Sequence, residues 1–307
     1  MGVNQGWVYQ EQVAWSGNGI TILDYYTTRH RHSSREEWRD RIQSGLIFVN
    51  ANLITDCNIS LTSGQILTYH RPPWSEPDVP FDVDVLYEDQ DLLILHKPSG
   101  LPVLPGGGFL ENTVWGWLRQ HYSTPPTALH RLGRGTSGIL LLAKTDMARS
   151  KLSHDFRKGQ ICKLYRALAT GNEMPDRFTV TQAIDKVSHP TLGYLYAASD
   201  LGKSAISHCR VMQRDRIPGA SLLEVTIPTG RPHQIRIHLA AAGHPLWGDP
   251  LYAVGGGLLD QNALPGDCGY FLHAYQLRFI HPATAIERVI VAQPPALLTD
   301  RKSDRLD

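Results

Sequence analysis

The sequence predicts a mixed α+β fold in two parts, a small N-terminal module and a larger domain. Short apolar runs bounded by turn residues recur along the chain and are typical of strands. Segments with N-cap residues and helical spacing lie between these runs. The segment 71–80 holds four prolines in ten residues, so we expect it to stay extended and to separate the two parts. At 307 residues, the chain is long enough for both parts to bury a core.

The composition is that of an ordinary globular protein, with 42% hydrophobic and 19% charged residues. No run approaches the about 18 apolar residues of a membrane helix, and the first residues lack a signal pattern, so we expect a cytoplasmic protein. The four cysteines form no C-x-x-C pair and the fourteen histidines show no metal-ligand spacing, so no metal site is predicted. The net charge of +1 is weak support for a polyanionic partner, but basic residues do cluster locally.

The N-terminal part is predicted to be a loosely attached lead-in of about 20 residues, then a basic helix and two strands. The span 29–41 contains five arginines and two histidines against three acids. Ser34 and Glu37 have the spacing of an N-cap and its capping-box partner, and Gly45 is placed to end the helix. Strands are predicted at 46–52 and 66–69.

The larger domain is predicted to open with a strand, a turn and a second strand over 85–97, followed by a proline-glycine turn. Asn112 is expected to cap a helix that runs through Leu118. The later elements are predicted to be a helix at 146–157 ended by Gly159, strands at 162–169 and 222–227, and a closing strand from Leu272.

The most unusual stretch is the loop 130–138, with the sequence His-Arg-Leu-Gly-Arg-Gly-Thr-Ser-Gly. Its three glycines and two hydroxyl residues disfavour regular structure, and the aliphatic run 139–143 that follows predicts a strand buried on both faces. The loop also matches the G-x-G-x-x-G pattern of dinucleotide-binding folds. That pattern needs a strand before it and a helix after it, and here the order is reversed, so we set the nucleotide interpretation aside.

The loop 130–138 resembles the signature loop of the RluA-type RNA pseudouridine synthases, His-Arg-Leu-Asp-x-x-Thr-Ser-Gly followed by an aliphatic strand and a Lys. Gly133 stands where that family has its catalytic aspartate. Other segments resemble the family's motifs in the family's order from about 81 to 295. They are Lys97-Pro98-x-Gly100-Leu101-Pro102, Tyr165 within its strand, the block 230–239, Gly248-Asp249-Pro250-x-Tyr252, and Leu272-His273-Ala274. Residues 20–70 resemble, more loosely, a small RNA-binding module that often precedes these enzymes.

The resemblance implies an α+β pseudouridine synthase catalytic domain around a largely antiparallel mixed sheet. It divides the chain into an RNA-binding-like module at 1–70, a proline-rich linker at 71–80, a catalytic domain at 81–297 and a charged tail at 298–307. It implies a monomer that isomerises uridine to pseudouridine in structured RNA, either ribosomal or transfer RNA, without a cofactor. No DNA and no membrane partner are expected.

The resemblance also assigns site residues. Tyr165 is placed against the target uracil, and Arg236 matches the arginine that pairs with the loop carboxylate, which at Gly133 is missing. Residues expected to contact RNA are His130, Arg131, Arg134, Thr136, Arg231, Arg35 and Arg39.

Because glycine offers neither a nucleophile nor a base, two hypotheses stay open. In the first, the protein is an active synthase that uses a carboxylate from elsewhere, such as Asp249 or Asp185, or a divergent mechanism. In the second, it is an RNA-binding protein on a synthase fold that has lost catalysis. Both predict that Arg236 has lost its loop partner, and a carboxylate found beside Arg236 would favour the first.

Overall fold

The computed structural model describes residues 2–190, 192–259 and 263–300, and the chain divides into two compact units. The first unit comprises the residues up to Glu76 together with Ser188–Tyr194, and the second comprises Pro77–Val187 and the residues from Leu195 onward. The sequence did not anticipate that Ser188–Tyr194 would group with the N-terminal part. Within the described ranges, no helix has both the length and the apolar character to cross a membrane.

The first unit is a four-stranded antiparallel sheet with two helices. The strand order is β1-β4-β2-β3, and apolar residues of both helices and of the sheet form one core. The elements are β1 (Trp7–Gln12), α1 (Ile22–Arg29), α2 (Arg35–Gln43), β2 (Ile47–Val49), β3 (Asn52–Ile54) and β4 (Ile66–Arg71). The capping box of Ser34 and Glu37 is present at the start of α2, as the sequence predicted.

The prediction of a loose lead-in over the first 20 residues is wrong for β1. This strand pairs with β4 along its whole length, from Trp7 opposite Arg71 to Gln12 opposite Ile66. It lies at the sheet edge and is exposed along nearly all of its length, so its sequence carries no alternation of buried and exposed residues. Pairing with a partner more than fifty residues away, rather than local pattern, makes it a strand.

The described residues after Glu76 form a ten-stranded mixed sheet, a separate β-hairpin and three α-helices. The elements are β5 (Asp84–Glu88), β6 (Leu92–Lys97), α3 (Val114–His121), β7 (Thr127–Ala128), β8 (Thr136–Ala143), α4 (Asp146–Lys158), β9 (Cys162–Thr170), β10 (Arg177–Val180), β11 (Ile184–His189), β12 (Gly193–Ala198), β13 (Ser207–Ile217), β14 (Ala220–Thr226), α5 (Gln234–Ala241), β15 (Leu272–Ile280) and β16 (Glu287–Val291).

The large sheet has the order β10-β13-β14-β9-β15-β8-β6-β5, with β16 beside β15 and β7 beside β8. The pairing of β15 with β8 is parallel, and the other neighbours are antiparallel. The predicted α+β class with a largely antiparallel sheet is therefore confirmed. The hairpin is formed by β11 and β12.

All eight residues of β8 are buried, which places this strand at the centre of the domain core. The strand begins at Thr136, so the last three residues of the predicted loop belong to it. Gly138 has φ +106°, and a Cβ on it would lie 2.3 Å from the carbonyl oxygen of Ala274 in β15. The absence of a side chain at Gly138 therefore allows β15 to pair directly alongside β8.

Helix boundaries agree with the sequence signals to within a few residues. α4 is capped by Thr145 and ends at Gly159, which adopts the left-handed conformation. The predicted cap Asn112 is wrong by one residue, because Thr113 accepts the backbone N–H of Gly116. The Asn112 side chain donates instead to the carbonyl of Pro77.

The charged tail was predicted to begin at 298, and its first residue contradicts that boundary. Leu298 ends a 3-10 helix, Ala296–Leu298, and is only 1% exposed, so packed structure extends at least this far. The remaining part of that prediction, residues 301–307, lies outside the described residues.

We predict that Gly138→Ala destabilises the protein far more than Gly255→Ala. Both glycines have positive φ, at +106° and +94°, so both variants suffer the left-handed strain of about 1–2 kcal/mol. A Cβ at Gly255 meets nothing within 4 Å, whereas a Cβ at Gly138 collides with the backbone of β15, which adds overpacking of about 1–3 kcal/mol. Free energies of unfolding from urea titrations measure the difference. Equal losses in the two variants would contradict the close approach of β8 and β15.

Candidate active site

The candidate site forms on the face of the large sheet that α5 covers. In the neighbouring strands β8, β15 and β9, Gly138 pairs with Ala274, and Ala274 pairs with Tyr165. Residues in one such row, and residues two positions away along a strand, point to the same face. Tyr165 and Thr136 therefore share a face, and apolar residues of α5 pack in the same cluster as Tyr165. The sheet register thus assembles segments that are far apart in the sequence.

Tyr165 is the strand tyrosine that the resemblance places against the target base. Its ring packs at the edge of two core clusters, and burial raises the pKa of its phenol to about 12. The phenol is therefore neutral at physiological pH. Among the residues that the structure describes, no hydrogen-bond partner of its hydroxyl is found, so this group is available to a ligand.

Arg236 is buried in α5, and each nitrogen of its guanidinium donates a hydrogen bond. Its Nε and Nη2 each donate to one carboxylate oxygen of Asp249 at 2.7 Å, and its Nη1 donates to the carbonyl of Pro265 at 3.2 Å. Burial disfavours the charged guanidinium, but the hydrogen bonds to Asp249 and the nearby charges outweigh it and raise the pKa of Arg236. The expectation of an unpaired Arg236 is therefore wrong, and Asp249 is the carboxylate beside it.

Asp249 is buried, and its carboxylate is engaged by several protein donors. Its side chain is 1% exposed, and both oxygens accept hydrogen bonds from Arg236. One oxygen also accepts the backbone N–H of Leu251 at 2.9 Å. Both oxygens of this carboxylate are thus engaged by protein donors, and its side chain is enclosed. Asp249 and Arg236 form a structural centre rather than an acid–base pair.

Two glycines bring the segment that carries Asp249 against the segment that carries Tyr270. A Cβ on Gly248 would lie 2.3 Å from the carbonyl oxygen of Gly269, and a Cβ on Gly269 would lie 2.9 Å from that of Gly248. Both residues have positive φ. Only glycine satisfies both conditions without strain, so the close contact of these two backbones is built into the sequence.

Two phenol rings lie against the guanidinium of Arg236. Its Cζ is 4.2 Å from the ring centroid of Tyr270 and 5.1 Å from that of Tyr252, within the range of cation–π attraction. The hydroxyl of Tyr252 donates to the carbonyl of Tyr196 at 2.8 Å and accepts from Nδ1 of His233 at 2.7 Å. Burial lowers the pKa of His233 to about 3, so its imidazole is neutral. The pair of Arg236 and Asp249 is thus surrounded by neutral, hydrogen-bonded rings.

The position of Gly133 is occupied from across the site by Tyr270. Gly133 has no positive φ, so its backbone would accept a side chain. A Cβ there, however, would lie 2.9 Å from the hydroxyl oxygen of Tyr270. A Cβ on Gly135 would lie 3.0 Å from the same ring. The two loop glycines therefore leave the space that the Tyr270 phenol fills, and the G-x-G spacing serves this packing.

The loop is anchored on its other side by the fully buried Lys97. The Lys97 ammonium donates to three carbonyl oxygens, those of Pro98, Leu101 and Arg134, at 2.7–3.1 Å. Burial lowers the pKa of Lys97 to about 7. The hydroxyl of Ser99 donates to the carbonyl of Gly135 at 2.8 Å. These bonds hold the loop against the turn that follows β6.

Three arginines predicted to contact RNA have different surroundings. Arg131 is exposed and borders a cleft of about 510 Å³ lined by Trp115, Leu118 and the segment 125–131. Arg134 is half-buried and donates to the carbonyl of Gly266 at 2.6 Å, and Arg231 donates to that of Ser204 at 3.1 Å. RNA contact stays a prediction for all three, and Arg131 is the one whose guanidinium is most available.

Two predicted RNA contacts instead support the site from within. Thr136 is only 4% exposed, and its hydroxyl lies 3.3 Å from that of Tyr270. Nε2 of His130 accepts the backbone N–H of Leu141 at 3.1 Å, and burial lowers the pKa of His130 to about 4. Neither group is presented to a polyanion, because the first is enclosed and the second is a neutral ring bonded to β8.

The two predicted contacts in the first unit lie on α2. Arg35 forms an ion pair with Asp24 and is half-exposed, and Arg39 is exposed. Their position on a solvated helix is compatible with phosphate contacts, which stay a prediction.

Among the described residues, the other carboxylates considered have partners of their own. Asp185, the second alternative carboxylate, lies at the start of β11 and accepts the N–H of the next residue. Asp89, Asp91 and His281 lie close enough to suggest a metal site. However, Asp89 already accepts the N–H groups of Asp91 and Leu92 and bonds to Tyr87 and His281. The hydrogen bonds of a turn explain this cluster.

Sequence reasoning missed Tyr270 altogether. No motif contains it, and it lies over 130 residues from the loop that it contacts. The available signal was the pair of glycines at 133 and 135, because removing two side chains from a loop leaves space that another residue must fill.

The fold is that of a pseudouridine synthase catalytic domain. The solved structure of the human protein RNA pseudouridylate synthase domain containing 1 superimposes with a TM-score of 0.54 at 23% identity, covering 72% of this chain and 87% of that one. The sequence profile described as RNA pseudouridylate synthase matches residues 91–241.

Sequence relatives extend this similarity over nearly the whole chain. An uncharacterised RNA pseudouridine synthase from Synechocystis sp. is 47% identical over 91% of this chain and 96% of its own length. Ribosomal large subunit pseudouridine synthase D from Vibrio parahaemolyticus is 32% identical over 85% of this chain and 83% of its own length. The chain therefore belongs to the RNA pseudouridine synthase family.

We predict that Asp249→Asn lowers the free energy of unfolding by about 3–5 kcal/mol, because it leaves the guanidinium of Arg236 buried without a counter-charge. Asp176→Asn is the matched control: it removes a carboxylate from an exposed pair with Arg214, and exposed pairs contribute about 0–1 kcal/mol. Urea titrations of both variants give the two values. A loss below about 1 kcal/mol for Asp249→Asn would show that the pair does not support the fold.

Proposed function

We propose that this protein isomerises uridine to pseudouridine and that its substrate is ribosomal RNA. The proposal is supported by one observation: Tyr165, Thr136 and helix α5, which contains Arg236, lie on one face of the sheet. The chain also belongs to the RNA pseudouridine synthase family. Ribosomal RNA is favoured over transfer RNA because one relative is named for the ribosomal large subunit. The missing loop carboxylate makes RNA binding without catalysis the alternative to be tested.

The reaction requires a pocket that holds an extruded base. It breaks the N1–C1′ bond, turns the uracil and joins C5 to C1′, so it consumes no oxidant, reductant or nucleotide. Pockets for flipped bases use ring faces for stacking and polar groups for the base edge. The ring and free hydroxyl of Tyr165 supply both kinds of contact.

RNA must reach this pocket as a polyanion with an accessible loop. Arg131 lies one residue after His130, at the start of the signature loop, and borders the cleft that Trp115 lines. A cation for phosphate and a ring for stacking are the two elements of a single-strand binding path. On the separate first unit, Arg39 and its exposed neighbours on α2 offer further phosphate contacts.

The activity is tested with two transcripts, one of large-subunit ribosomal RNA and one of transfer RNA, each carrying uridine tritiated at C5. Joining C5 to C1′ displaces the C5 hydrogen, so turnover releases tritium to water. We expect release from the ribosomal transcript. Release from transfer RNA alone would correct the substrate class. Absence of release from both, with salt-sensitive binding retained, would establish the binding-only alternative.

Tyr165→Ala is expected to weaken binding of the modified RNA loop by about 1–3 kcal/mol, because the base loses its stacking partner. Tyr165→Phe keeps the ring and loses only the hydroxyl contact to the base edge, so its affinity should fall between those of the parent and the Ala variant. Fluorescence anisotropy measures both affinities, and thermal unfolding confirms that each variant is folded. If the folded Ala variant binds as tightly as the parent, Tyr165 is only a core residue.

Arg131→Gln should reduce the slope of log affinity against log salt concentration by about 0.7, the contribution of one phosphate contact on a single strand. The matched control is Arg149→Gln, which removes an exposed arginine of α4 that pairs with Asp146. Binding titrations at several salt concentrations give both slopes. An unchanged slope for Arg131→Gln, or an equal change in the control, would remove Arg131 from the RNA path.

A further inference from the structure

The hydroxyl of Tyr270 lies at the loop position where the family motif has its aspartate. It is 2.9 Å from the place of a Cβ on Gly133, and its ring is 3.0 Å from the place of a Cβ on Gly135. Gly133 itself is partly exposed. Tyr270 is itself only 4% exposed, so its phenol oxygen fills the place where a side chain on Gly133 would begin.

The position of this phenol is fixed from three sides. Its ring lies against the guanidinium of Arg236, which Asp249 holds in place. The backbone just before the ring is held by the close contact of Gly248 with Gly269. Its hydroxyl bonds to that of Thr136 in β8 at 3.3 Å. When Thr136 donates in this bond, the O–H of Tyr270 is free to donate to a third group.

We propose that Tyr270 is a catalytic residue of the isomerisation, and that its hydroxyl donates a hydrogen bond to the uracil at the position from which the loop carboxylate is absent. The assignment rests on the proposed function. It requires a preorganised donor on a buried, rigid ring, and groups of this kind stabilise charge that develops in a transition state.

A neutral phenol can donate a hydrogen bond to the uracil when the N1–C1′ bond breaks. Burial raises the pKa of Tyr270, although Arg236 and Thr136 act in the opposite direction, so the group is a donor and not a phenolate at neutral pH. The N1–C1′ bond breaks with its electron pair going to uracil, which leaves an oxocarbenium ion at C1′. The Tyr270 O–H stabilises the negative charge on a uracil carbonyl oxygen. After the base turns, the C5–C6 π electrons form the C5–C1′ bond, C5 loses its proton to water, and N1 gains one from water.

The variant Tyr270→Phe removes the hydroxyl and keeps the ring, so it tests the two contributions apart. The phenylalanine ring still fills the space beside the two loop glycines and still lies against Arg236, so folding and RNA affinity should be retained. We expect the rate of tritium release to fall by about 10²-fold or more, as for loss of one preorganised donor. Tyr87→Phe is the control: it removes a phenol from the edge strand β5 that bonds to Asp89, and it should release tritium at the parent's rate.

Two further measurements distinguish catalysis from packing. Gly133→Ala places a methyl group 2.9 Å from the Tyr270 oxygen, so it should lower the rate of tritium release of the parent. In the Tyr270→Phe variant, the same substitution should lower the rate little further, because the hydroxyl that it would displace is already absent. The raised pKa keeps the phenol protonated from about pH 7 to about pH 9, so the parent rate should not rise across this range. A fall in the rate there would report the loop anchor Lys97, whose pKa burial lowers to about 7.

The outcomes separate the assignment from the proposed function. An active parent whose folded Tyr270→Phe variant is equally active overturns the assignment alone. A parent rate that rises with pH in proportion to phenolate also overturns it, since the acting group would then be an anion. A parent that releases no tritium from either transcript overturns the proposed function, and the assignment with it.

Discussion

The buried pair of Arg236 and Asp249 is the interaction on which the rest of the site depends. A guanidinium at the centre of a helix that is buried on all sides is tolerated only with a counter-charge and hydrogen bonds for its nitrogens, and Asp249 and Pro265 supply them. The pair fixes the segment that follows α5 against the helix. Through the contact of Gly248 with Gly269, it also fixes the segment that carries Tyr270.

The signature loop adapts to this fixed centre. Gly133 and Gly135 leave room for the Tyr270 ring, while Lys97 and Ser99 hold the carbonyls on the loop's other side. A loop fixed on both sides and continuous with a fully buried strand is rigid, which is what a site that must orient an extruded base requires. The same geometry gives the G-x-G spacing a packing role in place of the phosphate-binding role that the pattern has in other folds.

The absence of a side chain at Gly133 therefore does not leave an empty place in this protein. In a close-packed interior, the space and the charge that a residue leaves must be taken up by neighbours. Here a phenol takes the space, and Asp249 balances the charge of Arg236. The two hypotheses drawn from the sequence were an active synthase and an RNA-binding protein without catalysis, and the hydroxyl of Tyr270 is the group that we propose for the active one.

The sequence by itself determined the α+β class, the capping box of α2, the buried strand after the signature loop and the motif segments that identify the family. Each of these depends on local pattern or on residues within a few positions of one another. The edge strand β1, the pairing of Arg236 with Asp249 and the contact of Tyr270 with the signature loop depend on the tertiary structure. They arise from contacts between segments 13 to more than 130 residues apart, and such contacts depend on sheet register and on close backbone approach, which leave no periodic signal in the chain.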